Sequence, residues 1–326
     1  MAASRNTPRK TSSAKKKSAP RGNPARVRTA PAAPPAPVTA KDWIGAARLR
    51  TLPLAVSPVL AGTGAALVVD DRFHWVLALC SLVVAVALQI GVNFANDYSD
   101  GIRGTDDHRV GPARLTASGR VSPKAVLIAA LVFFGIAALV GLAVVIRTQH
   151  WWMLAVGAVC IVAAWFYTGG KRPYGYSGLG EVFVFVFFGL VATTGTTFVQ
   201  VSAVPWESWL TAIGVGFLAC GVLVTNNLRD IAQDKVAGKR TLSVRIGRRG
   251  SQVLFTVFMA LPFVISVLIA QLYPGAWLTL LVLLATLSAT LIVWTYRTPR
   301  ELITALQLSS LASVAYSAVL LWAFVV

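Results

Sequence analysis

Charge is what this 326-residue sequence has least of. Asp, Glu, Lys and Arg together make up 13% of it, while apolar residues make up 56%. An ordinary soluble domain is about 25% charged, so a water-soluble globule of this length is excluded. Acids are scarcer still, 12 against 30 bases. The three histidines, His74, His108 and His150, are scattered without metal-ligand spacing. Of the three cysteines, Cys80, Cys160 and Cys220, none forms a C-x-x-C pair and all lie in apolar runs. A zinc site and a disulfide framework therefore have no support, and the thiols read as small buried hydrophobes. Strict two-residue alternation is also missing, which argues against a membrane β-barrel.

Long apolar runs remain. From about residue 52 onward, stretches of roughly 20 apolar residues repeat, each long enough to cross a hydrocarbon core as a helix. We place nine spans, at roughly 52–70, 75–97, 122–146, 151–168, 181–200, 209–228, 251–271, 275–295 and 302–325. Asp70-Asp71, Pro205 and Tyr273-Pro274-Gly275 mark breaks between them. The expected fold is all-α, a polytopic membrane domain over residues 39–326.

Residues 1–38 form a separate stretch of Pro, Ala, Ser and base with almost no large apolar side chain. Such a segment cannot bury enough surface to offset its ordering entropy, so we expect a disordered basic tail. It lacks the apolar core of a signal peptide. The net charge of +18 does not signal nucleic acid, because the bases follow topology. With the tail inside, all bases but Arg72 and Arg147 fall in the tail, the first-span approach or the inward loops. This places the chain in the cell membrane, with the N-terminus and the 98–124, 169–180 and 229–250 loops cytoplasmic. Partners other than the bilayer should be small molecules.

Half of the acids gather in two clusters, where the second and sixth spans run into long inward loops. In ANDYSDGIRGTDD, Asn96 and Asp100 share a face if the helix persists, with Asp97 beside them and Asp106 and Asp107 downstream. In NNLRDIAQDK, Asn227, Asp230 and Asp234 are three and four apart, again on one face. Near the interface, solvated loop carboxylates are the bland alternative, and for Asp107 it is preferred. For the rest, hard oxygen ligands without Cys or His suit Mg²⁺, which binds through a few carboxylates and substrate phosphates. Arg103, Arg109, Arg114, Lys171, Lys239 and Arg240 are placed to hold phosphate oxygens. Asn96, Asp97, Asp100, Asp106, Asp230 and Asp234 are the expected metal-binding and catalytic set of a diphosphate site.

Two aspartate-rich loops, four spans apart in a nine-span helical protein, resemble the UbiA superfamily of intramembrane prenyltransferases. Its N-D-x-x-D motif is matched by Asn96, Asp97 and Asp100, and its D-x-x-x-D motif by Asp230 and Asp234. Many members place the downstream Asp where this chain has Gly104; here Asp106 follows two positions later. NDYSDGIRGTD, FYTGGKRPYGYSGLGEVFVFVFFG and NNLRDIAQDKVAGKRTLSVRIG resemble the branch that prenylates 1,4-dihydroxy-2-naphthoate in menaquinone biosynthesis. The likeness covers about residues 42–326.

That resemblance implies nine helices around a central cavity, with the aspartates at its cytoplasmic end. It implies Mg²⁺ and a polyprenyl diphosphate whose allylic C–O bond ionises, with attack by the naphthoate ring and loss of CO₂ giving demethylmenaquinone. Among individual residues, Glu181 is either a helix N-terminal acid favoured by the dipole or a contact to the aromatic substrate. Tyr167 is an interfacial anchor or a ring face for a cation. Lys171 is assigned to the acceptor carboxylate or the diphosphate. Arg48 and Arg50 are inside anchors within reach of a diphosphate, and VFVFVFFG reads as a lipid- or core-facing helix. A transporter, another aromatic acceptor and a CDP-alcohol phosphotransferase are the alternatives. Acids at a single interface disfavour the first, the YTGG segment the second, and the lack of D-G-x-x-A-R the third.

Overall fold

The structure, a computed structural model, describes residues 37–105 and 114–326. Asp106, Asp107 and Arg109, expected near the site, lie outside the described residues, as does nearly all of the basic tail. Every regular element among the described residues is helical. A short helix, α1 (Ala40–Ala46), precedes nine longer ones that answer one to one to the nine expected spans. They are α2 (Pro53–Leu67), α3 (Trp75–Ile102), α4 (Pro123–Thr148), α5 (Met153–Phe166), α6 (Gly180–Val201), α7 (Trp206–Val236), α8 (Leu242–Ile269), α9 (Pro274–Thr295) and α10 (Glu301–Ala323).

Seven of the nine are long and apolar enough to cross a membrane. The exceptions are α2 and α5, of 15 and 14 residues; at 1.5 Å per residue each is about 22 Å long, short of the ~30 Å hydrocarbon core. Local chemistry sets several starts. Pro53, Pro123 and Pro274 stand in the first turns of α2, α4 and α9, where a missing N–H costs nothing. Ser122 caps α4 by accepting from the Ala125 N–H. The outer surface is apolar, with Leu139, Leu284 and Leu291 each more than 60% exposed. In water such a surface would drive aggregation; in lipid it costs nothing.

Two helices run past their expected ends. Both α3 and α7 continue through the acidic motifs, to Ile102 and Val236, so the motifs stand on helix rather than loop. The main apolar core lies among α7, α8, α9 and α10, around Leu218, Phe255, Val293 and Tyr316. A second packs α1 and α3 against α4 through Ala46, Phe94 and Val126. A cavity of about 570 Å³ opens between α2, α3, α4, α5, α6 and α7.

Candidate active site

Because α3 persists, Asn96 and Asp100 lie one turn apart on the face that borders the cavity, and α7 presents Asn227, Asp230 and Asp234 to the same space. Asn96, Asp100, Asn227 and Asp230 are all buried. The cavity is therefore polar at the motif end. Its other reaches are largely apolar, walled by side chains such as Val84, Leu142 and Leu154.

Asp100 is the hub. Its Oδ2 lies 3.2 Å from Lys239 Nζ and 3.5 Å from Arg114 Nη2, and its Oδ1 accepts from the Tyr176 hydroxyl. Lys239 also sits over the Tyr176 ring, 4.6 Å from its centre, within cation–π range. Burial, then the charge of Asp100, raises the Tyr176 phenol well above its ordinary pKa, so it stays a donor. Asp230 takes both forks of Arg229, Nε to Oδ1 and Nη2 to Oδ2, each at 2.7 Å. Asn96 Oδ1 accepts from the Thr168 hydroxyl at 2.6 Å.

Of the bases expected to hold phosphate, Arg114 and Lys239 border the cavity, and so does Arg48. Arg48 adopts φ 55°, a region rare for residues with side chains, in the turn between α1 and α2. Asn93 Nδ2 holds that turn by donating to the Ala47 carbonyl at 2.9 Å. Arg103 is not part of the cavity wall; it donates to the carbonyls of Thr168 and Gly170, with its guanidinium 5.6 Å from the centre of the Tyr176 ring. Lys171 and Arg240 are exposed and outside the cavity wall; Arg240 contributes a backbone N–H to the Tyr176 carbonyl. Tyr167 borders the cavity. Glu181 is buried, with Oε1 accepting from Asn227 Nδ2 at 3.1 Å. Asp97 is fully buried and is not part of the cavity wall.

Sequence reasoning missed Tyr176 and Thr168, whose only signal is a place in a glycine-rich loop. It also placed the aromatic run of α6 on a lipid or core face. Phe183, Phe187 and Phe188 instead border the cavity, and Tyr174 stacks on Phe183 with ring centres 3.8 Å apart. The run includes a π-helical turn, Phe185–Val191, a wide turn common beside functional sites.

Among the described residues no three acids, histidines or cysteines are grouped tightly enough to hold a metal ion by themselves. The donor set still fits Mg²⁺. The donors are amide and carboxylate oxygens that α3 and α7 bring to the same cavity, and Mg²⁺ typically takes one or two carboxylates and completes its shell with water and phosphate.

Known proteins resemble the chain in the same regions. The model of the UbiA prenyltransferase family matches residues 55–324. The 1,4-dihydroxy-2-naphthoate octaprenyltransferase of Mycobacterium tuberculosis is 46% identical over 276 residues, covering 85% of this chain and 94% of that one. The enzyme of the same name from Haemophilus influenzae is 36% identical, covering 75% and 82%. Among solved structures, a UbiA homolog from Aeropyrum pernix superposes with a TM-score of 0.62 at 16% identity, covering 80% and 96%. One from Archaeoglobus fulgidus, bound to GPP and Mg²⁺, gives 0.60 at 14% identity, covering 87% and 99%. At such identities these two structures bear on the fold alone.

Proposed function

Because the chain belongs to the UbiA prenyltransferase family, we propose that it transfers a polyprenyl group from its diphosphate to 1,4-dihydroxy-2-naphthoate. The carboxyl group leaves as CO₂, and the product is demethylmenaquinone in its hydroquinone form. The observation behind this reading is the cavity, where two acidic motifs and the bases Arg48, Arg114 and Lys239 border one end of an otherwise apolar chamber. A diphosphate with a long hydrocarbon tail has that polarity. The identity shared with naphthoate octaprenyltransferases supports the acceptor.

Asn96, Asp100, Asp230 and Asp234 would hold Mg²⁺, which supplies charge neutralisation to the diphosphate as it departs. Arg114, Lys239 and Arg48 bind its oxygens, while Tyr176, whose single hydroxyl proton goes to Asp100, holds that carboxylate in place. Phe183, Phe187 and Tyr174 form an aromatic stretch of the wall along which the allylic group would lie. The apolar walls keep water from the cation until the ring carbon bearing the carboxylate forms the new C–C bond. The C–CO₂ bond then breaks, and its electron pair restores the aromatic ring without a proton transfer. Chelation tests the metal assignment: EDTA should abolish turnover and Mg²⁺ restore it. Full turnover in EDTA would refute it.

The base asymmetry supports a cytoplasmic motif end, in the cell membrane. Impermeant thiol labelling of intact cells should reach a cysteine placed at Ser202 and spare one at Gly238; the reverse pattern would overturn that orientation.

A further inference from the structure

Asp97 follows Asn96 directly, yet its carboxylate does a different job. A residue one step along a helix projects about 100° away from its neighbour. While Asn96 and Asp100 face the cavity, Asp97 is wholly buried away from it. Both of its oxygens are engaged by consecutive backbone donors of the segment that enters α4. Leu115 N–H donates to Oδ2 at 2.9 Å and Thr116 N–H to Oδ1 at 2.9 Å.

Gly101, one turn further along α3, completes the seat. A Cβ at this position would lie 2.4 Å from the Thr116 Cβ and 3.2 Å from the Ala117 nitrogen, so only glycine lets the segment lie against the helix. Leu115 is buried in the cluster that contains Phe94 and Ala95. The residue just before this seat is Arg114, which borders the cavity 3.5 Å from Asp100. The seat therefore fixes where Arg114 enters the site.

We propose that Asp97 is a positioning residue and not a metal ligand: it seats residues 115–116 and so aims Arg114 at the diphosphate. This rests on the reading of the cavity as a diphosphate site. Asp97→Asn keeps the shape but leaves one acceptor oxygen and sets an NH₂ donor against the second N–H. Gly101→Ala keeps the carboxylate and displaces the segment sterically.

The first arm needs neither metal nor substrate. In EDTA-treated, detergent-solubilised protein, amide hydrogen exchange across residues 114–119 should be at least about tenfold faster in Asp97→Asn than in wild type. Exchange at the wild-type rate would overturn the seat, whatever the enzyme turns over. The second arm measures transfer. Asp97→Asn should keep the wild-type half-saturating Mg²⁺ concentration and raise KM for polyprenyl diphosphate about tenfold, on the scale of one charge-assisted contact. Arg114→Ala should do the same, and the double variant should be no worse than Arg114→Ala alone. Gly101→Ala should follow this pattern, whereas Asp234→Asn should shift the Mg²⁺ requirement. A shifted Mg²⁺ requirement in Asp97→Asn, or an effect that adds to Arg114→Ala, would return Asp97 to the ligand set.

Discussion

Asp100→Asn is expected to lower the transfer rate by about 100-fold or more, roughly 2.7 kcal/mol at the transition state, the scale of losing one preorganised electrostatic group. The substitution keeps the side chain's size and removes one charge. In the resting site that charge meets Arg114, Lys239 and Tyr176. Asp230→Asn should fall as steeply, although its resting partner is the fork of Arg229. A large loss shared by two carboxylates on different helices points to something both contact during the reaction. Activity normalised to correctly inserted protein in membranes is the measurement. Near-normal turnover in both variants would remove the diphosphate–metal reading of the site.

Lys239→Ala should cost about 10- to 100-fold, mostly as a raised KM for the prenyl diphosphate. The change removes a buried cation that the proposed function sets against phosphate, and Asp100 loses a close partner. Lys171→Ala should stay within about threefold, as expected of an exposed surface charge, because Lys171 is exposed and outside the cavity wall. A steep loss in Lys171→Ala with little change in Lys239→Ala would invert this assignment. The two lysines are alike in sequence, each in a basic loop. The fold separates them. Gly238, at φ 73°, reverses the chain after α7, and the Lys239 N–H then donates to the Asp234 carbonyl at 2.8 Å, bringing the side chain back over the site. A glycine just past a helix is a legible stop signal; where the next side chain lands is not.

The same division holds elsewhere. Each of the nine apolar runs forms a helix among the described residues because span length and hydropathy are local properties. The pairing of Asn96 with Asp100, and of Asp230 with Asp234, was legible because i and i+4 share a face once the helix continues. Asp97 was read with its neighbours because its partners, Leu115 and Thr116, come from a different segment of chain. Spacing along α3 says nothing about them. Arg103 stands in helical register with the acids, yet its guanidinium donates to the Thr168 and Gly170 carbonyls. Those carbonyls lie in the loop that follows α5, and such tertiary acceptors leave no trace in a charge pattern. The phenylalanines of α6 were placed on a lipid or core face because periodicity cannot distinguish a lipid-facing stripe from one facing a chamber. Both are apolar.

The most direct test of the account is the mass of the lipid product. Membranes containing this chain and no other prenyltransferase would receive polyprenyl diphosphate with 1,4-dihydroxy-2-naphthoate, 4-hydroxybenzoate or homogentisate. The account predicts a product with the naphthoate alone, its mass equal to the acceptor plus the prenyl group less the carboxyl group. A product that keeps the carboxyl group, or one formed preferentially from a benzenoid acceptor, would contradict it.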